Sequence, residues 1–388
     1  MRRALPGPPG LVFLAFFLLA GCNQAPTPEP PAPPSSAALH PAAAPSRGVL
    51  QPPGAAPGRR AAPPSDAAPT GDAAPTEADA DLAAEDDLEP LTLEEQRARL
   101  LATMTRELRL SGGQQQVIRE VFALSPHLSQ GNPELSFHPM TRAECRRVRA
   151  EAGPEAPESP RCGAPHMAPL YDPGAGQTEQ DARVCVDRFE FPGIPCEYPV
   201  VYARASEAAT LCRAVGKRLC DAHEWEGACA GALRPPEVEY AFDRDRLQAT
   251  HQHNTTREIT WAYGAPRDPF RCATFGWRSP KCTGEWSKCG SYTYPAGSFP
   301  SCRSPFGVYD LHGNVAEHMN LPLAPEEAAA LGEGGVTEMK GSWFGFSAKL
   351  PHEDDCRWRA PSWHETRTMS PVSHRNYHLG FRCCKDAD

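Results

Sequence analysis

The sequence predicts an irregular, disulfide-rich α+β domain of about 250 residues with little regular secondary structure. Two observations carry this prediction. Beyond Gly131 the chain has short apolar runs, frequent Gly, Pro and Trp, and only weak periodicity of its apolar residues. It also has 15 cysteines, and the number that follows Cys22 is even, which is typical of a disulfide framework in an exported protein.

The first 21 residues are predicted to be a lipoprotein signal peptide. Arg2 and Arg3 give a basic start, and Leu11–Leu19 is apolar but too short to span a bilayer. The run closes on Leu19-Ala20-Gly21-Cys22, which resembles a lipobox, so we expect lipid on the Cys22 thiol. An ordinary secretory signal with an incidental cysteine is the alternative. Asn23 follows, and analogy with enterobacterial sorting favours the bacterial outer membrane.

Residues 22–90 are expected to form a disordered Pro/Ala-rich linker. The segment consists mainly of Ala, Pro, Ser, Thr and Gly with scattered acids, and it has no Lys and no Phe, Trp or Tyr. Such a composition buries too little apolar surface to offset the entropy of ordering. We therefore expect the linker to be a spacer between the lipid anchor and the folded part. The lipid anchor is the expected contact with the membrane.

A helical hairpin is predicted over residues 91–130. Thr92-x-x-Glu95 is a capping box, Ser111-Gly112-Gly113 is the expected break, and Ser125-Pro126 is the expected end. Because two short helices rarely stand alone, we expect their apolar stripes to pack on the following domain. These stripes are Leu100, Leu101, Met104 and Leu108 in the first helix, and Val117, Ile118, Val121 and Phe122 in the second.

The domain is expected to span residues 131–388 and to contain two further short helices. One is predicted to start at Ser206 as N-cap and to run through Val215, with Gly216 after it. The other begins at Asp221-x-x-Glu224.

Several function classes are excluded or disfavoured. The net charge of −9 is not that of a nucleic-acid-binding surface, which is basic. The chain also contains no C-x-x-C pair, so the cysteine spacing typical of zinc sites is absent. The chain also has no G-x-S-x-G, Walker, Rossmann or H-E-x-x-H motif.

Four runs between about residues 184 and 384 carry a family resemblance. They are Gly216-Lys217-Arg218-Leu219 with Glu224-Trp225-Glu226, Gly307-Val308-Tyr309-Asp310-Leu311-His312-Gly313-Asn314-Val315-Ala316-Glu317, Lys340-Gly341-Ser342-Trp343, and Gly380-Phe381-Arg382-Cys383. In this order they resemble the formylglycine-generating enzyme family, also called the sulfatase-modifying-factor domain. The resemblance implies a C-type-lectin-like fold. It also implies, in active members, a copper(I) ion held by two thiolates that uses dioxygen to oxidise a substrate cysteine to formylglycine.

This chain departs from the active members at the copper positions. Counted from Ser342, the two thiol positions fall on Gly345 and Leu350, and neither side chain can bind Cu(I), which requires sulfur. Copper is therefore not expected. Ala316 and His318 also stand where active members carry tryptophans.

The expected function is a non-catalytic binding or scaffold module of the cell envelope, with an envelope protein or a glycan as partner. One alternative is a metal-dependent oxidoreductase, either a formylglycine-generating enzyme with an altered site or a non-haem iron enzyme. Related iron enzymes take most ligands from a helical domain with an H-x-x-x-H-x-E motif that this chain lacks. The candidate iron ligands here are His251, His253, His364, His374 and His378.

The resemblance also implies two disulfides. Cys212 would pair with Cys383 or its neighbour Cys384, and Cys229 would pair with Cys356. The connectivity of the other ten cysteines, including Cys272, Cys282, Cys289 and Cys302, stays open.

A calcium site is the better-supported metal hypothesis. Hard Ca²⁺ takes carboxylate and carbonyl oxygens such as a tight acidic loop supplies. The resemblance assigns this role to the side chains of Asp310 and Glu317 with the carbonyls of Gly313 and Val315. A weaker second site would involve Asn254 and Asp268. The alternative for Asp310 and Glu317 is that they are solvated acids or cap the backbone.

Overall fold

The structure is a computed structural model that describes residues 92–388 except 277, 280, 329–330, 347–352 and 361–365. The predicted signal peptide and the whole linker, including Cys22, lie outside the described residues, as do Leu350 and His364. No helix within the described ranges is long and apolar enough to cross a membrane.

Two helices, α1 (Leu93–Glu107) and α2 (Gly112–Leu124), open the described chain. Glu95 N donates to Thr92 Oγ1 at 3.1 Å, and Thr92 N donates to Glu95 Oε2 at 2.9 Å, so the capping box forms. The expected break is shorter than the sequence indicates. Gly112 and Gly113 belong to the first turn of α2 because Ser111 caps it.

The hairpin packs on the domain through one apolar core. Leu100, Met104, Ile118 and Phe122 are buried there together with Leu211, which lies in the helix α4 (Ala205–Ala214). Val117 is 39% exposed and lies on the outer face of α2. The two stripes therefore serve mainly as core, which is what their short length requires.

The described part contains five further α-helices. Of these, α4 begins two residues before the position expected from Ser206, because Glu207 Oε2 accepts the Arg204 N–H at 2.8 Å and marks the helix start. Glu224 Oε2 accepts the Asp221 N–H at 2.8 Å and marks the start of α5 (Ala222–Ala230). The five helices are α3 (Arg142–Glu151), α4 (Ala205–Ala214), α5 (Ala222–Ala230), α6 (Pro236–Glu239) and α7 (Arg246–Thr256), and short 3₁₀ turns occur at Pro160–Cys162, Pro173–Ala175, Glu179–Asp181 and Pro325–Glu327.

Two small sheets form the centre of the domain. The first is antiparallel and contains, in spatial order, β1 (Met167–Leu170), β2 (Val184–Asp187), β7 (Cys383–Asp386) and β3 (Arg218–Leu219). The second contains β5 (Val336–Lys340), β4 (Ala316–Leu321) and β6 (Leu379–Phe381), with β4 antiparallel to β5 and parallel to β6. Arg382 alone separates β6 from β7, so the chain passes from one sheet to the other at this residue.

Seven disulfides hold these elements together and use every cysteine after Cys22. The two pairs that the resemblance implied are present, and Cys212 selects Cys383 because Cys384 is bonded to Cys220. The few short strands, the seven described helices and this framework confirm the irregular, disulfide-rich α+β class. The seven pairs are Cys145–Cys196, Cys162–Cys185, Cys212–Cys383, Cys220–Cys384, Cys229–Cys356, Cys272–Cys302 and Cys282–Cys289.

Candidate functional site

The segment after β5 lies against the turn that precedes β4. Gly313 N donates to Ser342 Oγ at 2.8 Å, and Phe344 N donates to Asn314 O at 3.0 Å. Gly313 has a φ of +78°, and a Cβ there would lie 2.4 Å from Ala273 O, so only glycine fits. Two of the four sequence runs thus pack against each other.

Gly345, the first predicted copper position, follows this contact in the chain, is partly exposed and has room for a side chain. A Cβ built on it would lie 3.6 Å from Trp343 Nε1 and 4.0 Å from Arg278 Cβ, both ordinary contacts. The sulfur of Cys356 is bonded to Cys229 at 2.07 Å. All cysteines of the described chain are in disulfides, so no thiolate is present beside Gly345.

The wall next to Gly345 is aromatic. The Trp343 ring stacks on His378 at 4.6 Å between centroids, and Phe346 meets Trp343 edge-on at 5.4 Å. Ala316 is fully buried in the same apolar cluster as Trp343. The small side chain at residue 316 therefore belongs to the core and offers no ring to a ligand.

The candidate iron histidines have separate places in the described structure. His251 and His374 are exposed, and His378 stacks on Trp343. His318 Nε2 lies 3.0 Å from His374 O and 3.1 Å from Ala203 O, so its ring links two backbone segments. Within the described residues, two groups of three potential metal ligands include a histidine. One group contains His253 and the other contains His312.

His253 belongs to a buried charge network rather than to an open metal site. Its Nε2 lies 2.7 Å from Arg357 O, and it faces the carboxylates of Glu226 and Glu239. Arg359 and Lys340 both bind Glu226, at 2.8 Å and 2.5 Å. Burial, and then the positive charge of Arg359, lower the pKa of His253 to about 3, so the ring is neutral at pH 7.

His312 packs on the Cys229–Cys356 disulfide. Its Nε2 accepts the Ala262 N–H at 2.9 Å and lies 3.4 Å from Cys229 Sγ. Burial lowers the pKa of His312 to about 4. Because both sulfurs are in the disulfide, this cluster offers one imidazole and no thiolate.

The expected calcium ligands lie in one buried turn. Asp310 has a φ of +57° and accepts the Gly297 N–H at 2.5 Å through Oδ2. Glu317 is the second residue of β4, and both of its carboxylate oxygens lie 2.6 Å from nitrogens of Arg382. Trp225 Nε1 donates to the same carboxylate at 3.2 Å.

A third acid, Glu190, belongs to the turn and had no sequence signal. Its two oxygens accept from Val315 N at 3.0 Å and from Asn314 Nδ2 at 2.6 Å. It follows β2 in a run without a motif, and it is about 120 residues from the turn along the chain, so only the fold brings them together.

Three buried carboxyl groups, those of Glu190, Asp310 and Glu317, come close together at this turn and the start of β4. Burial, followed by the charges of Asp310 and Glu317, raises the pKa of Glu190 well above its ordinary value. Burial also raises the pKa of Asp310 to about 6. The guanidinium of Arg382 is bonded to one of these three carboxyl groups, that of Glu317. Carboxylate oxygens are ligands that suit Ca²⁺, but the groups of three closely spaced ligand atoms within the described residues do not include Asp310, Glu190 or Glu317.

The weaker second set does not share this character. Asn254 lies in α7, and its amide makes two bonds to the backbone of Arg359, at 2.8 and 2.9 Å. Asp268 Oδ1 accepts the Phe270 N–H at 3.0 Å, which is a local turn bond. Both side chains therefore hydrogen-bond to the backbone.

A comparison with protein families gives one match. The model of the family described as the sulfatase-modifying factor enzyme 1-like domain matches residues 170–387, more than half of the chain. This confirms the resemblance carried by the four runs. A comparison with curated proteins found no match.

Proposed function

The chain belongs to the sulfatase-modifying-factor family, and we propose that its domain is a non-catalytic binding module that has lost the copper oxidase activity of the family. One observation carries the proposal. The first thiol position is Gly345, and every cysteine after Cys22 is in a disulfide. Cu(I) binding needs soft sulfur ligands, and here none is free.

The surroundings of Gly345 support the same proposal. Ala316 and His318 replace two tryptophans of the active members, and both side chains are buried and used inside the protein. Losses at the reactive positions alongside an intact scaffold are the pattern of a fold kept for another function.

We place the module in the bacterial envelope, anchored to the outer membrane through lipid on Cys22. An envelope protein or a glycan is then the kind of partner it meets, and nucleic acid is not. Incorporation of labelled palmitate into the wild-type chain but not into Cys22→Ala tests the anchor. Equal labelling of the two would contradict it.

We also propose that Ca²⁺ binds the Asp310 turn in a structural role. Asp310 and the carbonyls of Gly313 and Val315 would hold the ion, and Glu317 would share its carboxylate with Arg382. The bound charge would offset the repulsion among buried carboxylates and fix the turn against Ser342.

Copper(I) titration against a chromophoric chelator tests the proposed loss of the copper site. We expect the wild-type protein to take no stoichiometric copper, and the double variant Gly345→Cys, Leu350→Cys to take about one ion. Gly345→Ser, Leu350→Ser is the matched control without sulfur. Stoichiometric copper on the non-reduced wild-type protein would contradict the proposal and favour a metal-dependent oxidoreductase.

A further inference from the structure

A recess on the domain surface combines stacked aromatic rings with positive charge. Its volume is about 420 Å³, within the range of small-molecule sites. We call it the aromatic recess, and the residues that matter for its chemistry are His127, Tyr202, Glu285, Trp286, Ser287 and Arg375.

The rings form a rigid platform. His127 and Trp286 are parallel, with centroids 4.8 Å apart and an angle of 9° between them. Tyr202 meets Trp286 edge-on at 4.9 Å and forms the floor, with only 2% of its surface exposed. Trp286 and His127 are only partly buried, so a ligand can reach them.

The backbone holds this platform in place. Tyr202 has a φ of +55°, a strained conformation for a residue with a bulky side chain. Its N–H donates to Asn376 O at 2.9 Å and its hydroxyl donates to Cys289 O at 3.1 Å. The Cys282–Cys289 disulfide closes the short loop that carries Trp286. Strain held by such contacts is a common feature of binding sites.

Three arginines, Arg97, Arg204 and Arg375, and one carboxylate, Glu207, lie near one side of the platform. Arg375 Nη1 is buried and has no hydrogen-bond partner among the described residues, and the same holds for Arg204 Nε. Burial, and then the nearby charge of Arg204, lower the pKa of Arg375, while Glu207 opposes this effect. The pKa of His127 is lowered by burial and then by Arg375, Arg97 and Arg204. A buried N–H without an acceptor is costly, and an anion would satisfy it.

We propose that the aromatic recess binds an acidic sugar unit, with the apolar face of the ring on Trp286 and the carboxylate on Arg375. The inference rests on the proposed binding function and names its site and ligand class. The rim favours a sugar over a simple anion, because Ser287 and Glu285 offer polar groups that suit ring hydroxyls. Aromatic faces provide the flat contact surface, and an arginine provides planar recognition of a carboxylate.

Calorimetric titration of the mature protein with trigalacturonate tests the proposal, with neutral galactotriose as the matched probe. We expect measurable binding of trigalacturonate and at least tenfold weaker binding of galactotriose. Arg375→Gln and Trp286→Ala should each weaken trigalacturonate binding at least tenfold. Arg147→Gln removes an exposed arginine of α3 that is paired with Glu151 outside the recess, and it should leave binding unchanged.

Thermal melts establish that each variant is folded. Absence of binding to the folded wild-type protein, equal binding of the two sugars, or unchanged binding by Arg375→Gln would overturn the proposal. Equal competition by acetate or inorganic phosphate would also overturn it, because the recess would then be a simple anion site. If the protein binds neither trigalacturonate nor copper, the proposal of a sugar site is wrong and the proposed non-catalytic function is unaffected. Sugar binding together with copper-dependent oxidation would remove that function and keep the recess.

Discussion

Arg382 binds Glu317 through two nitrogens, each 2.6 Å from a carboxylate oxygen, and both residues are at least 99% buried. Arg382 lies between β6 and β7, and Glu317 lies in β4, so the pair ties the two sheets together. Arg382 also donates to Asp187 O and Tyr309 O at 3.0 Å. Two of the four sequence runs that indicate the family therefore meet in one ion pair.

Glu317→Gln should destabilise the protein by about 3 kcal/mol, because it leaves the buried guanidinium of Arg382 without its paired charge. The control is Glu327→Gln, whose partner Arg367 is largely exposed, and it should cost under about 1 kcal/mol. Urea unfolding measures both changes. Equal effects of the two substitutions would show that the buried pair has no special role.

Calcium should raise the melting temperature of the wild-type protein. Binding to the native state alone stabilises by about 2.7 kcal/mol at a hundredfold excess over Kd. Asp310→Ala should abolish the difference between Ca²⁺ and EDTA, whatever the strain of alanine at this positive φ. Asp268→Ala, at the weaker second position, should keep that difference. A wild-type melt that is the same in Ca²⁺ and EDTA would argue against the ion.

Acid should destabilise the protein partly through His253. The pKa of His253 is about 3 in the native protein and ordinary in the unfolded chain, so between about pH 6.5 and 3 only the unfolded chain binds the proton. The stability from the neutral ring is complete above this window and is lost as pH falls through it, by about 1.4 kcal/mol per pH unit.

His253→Gln is the matched variant because its amide can still donate to Arg357 O. Denaturant unfolding between pH 6.5 and 4 should show a slope shallower by about one proton in this variant. Parallel slopes for wild type and variant would mean that His253 titrates normally in the folded protein.

Disulfide removal should depend on the loop that each bond closes. Cys229 and Cys356 are 127 residues apart, whereas Cys282 and Cys289 are 7 apart. Chain entropy alone then gives about 5 kcal/mol for the first bond and about 2.5 kcal/mol for the second. The double alanine variants should rank in this order in urea unfolding. A larger loss for the short loop would contradict the entropic account.

The sequence predicted the local features of this fold better than the distant ones. The capping bonds at Thr92 and Asp221 involve residues three apart, so a short motif specifies them. Glu190 and Arg375 acquire their roles only when segments far apart in the chain come together, and no motif marks either. Asn254 shows the converse case, because the position of its side chain in α7 decides that it caps the backbone of Arg359.

Oxidation of a cysteine peptide tests whether this domain has lost the copper oxidase activity of the family. The purified mature protein would be incubated with a sulfatase-motif peptide, dioxygen and a reductant, with and without copper. An active copper-dependent member of the family would be the positive control, and mass spectrometry would detect formylglycine. Because Gly345 offers no sulfur and the other cysteines after Cys22 are in disulfides, we predict no conversion by this protein under either condition. Copper-dependent conversion of the peptide by the wild-type protein would contradict the proposal that the domain is non-catalytic.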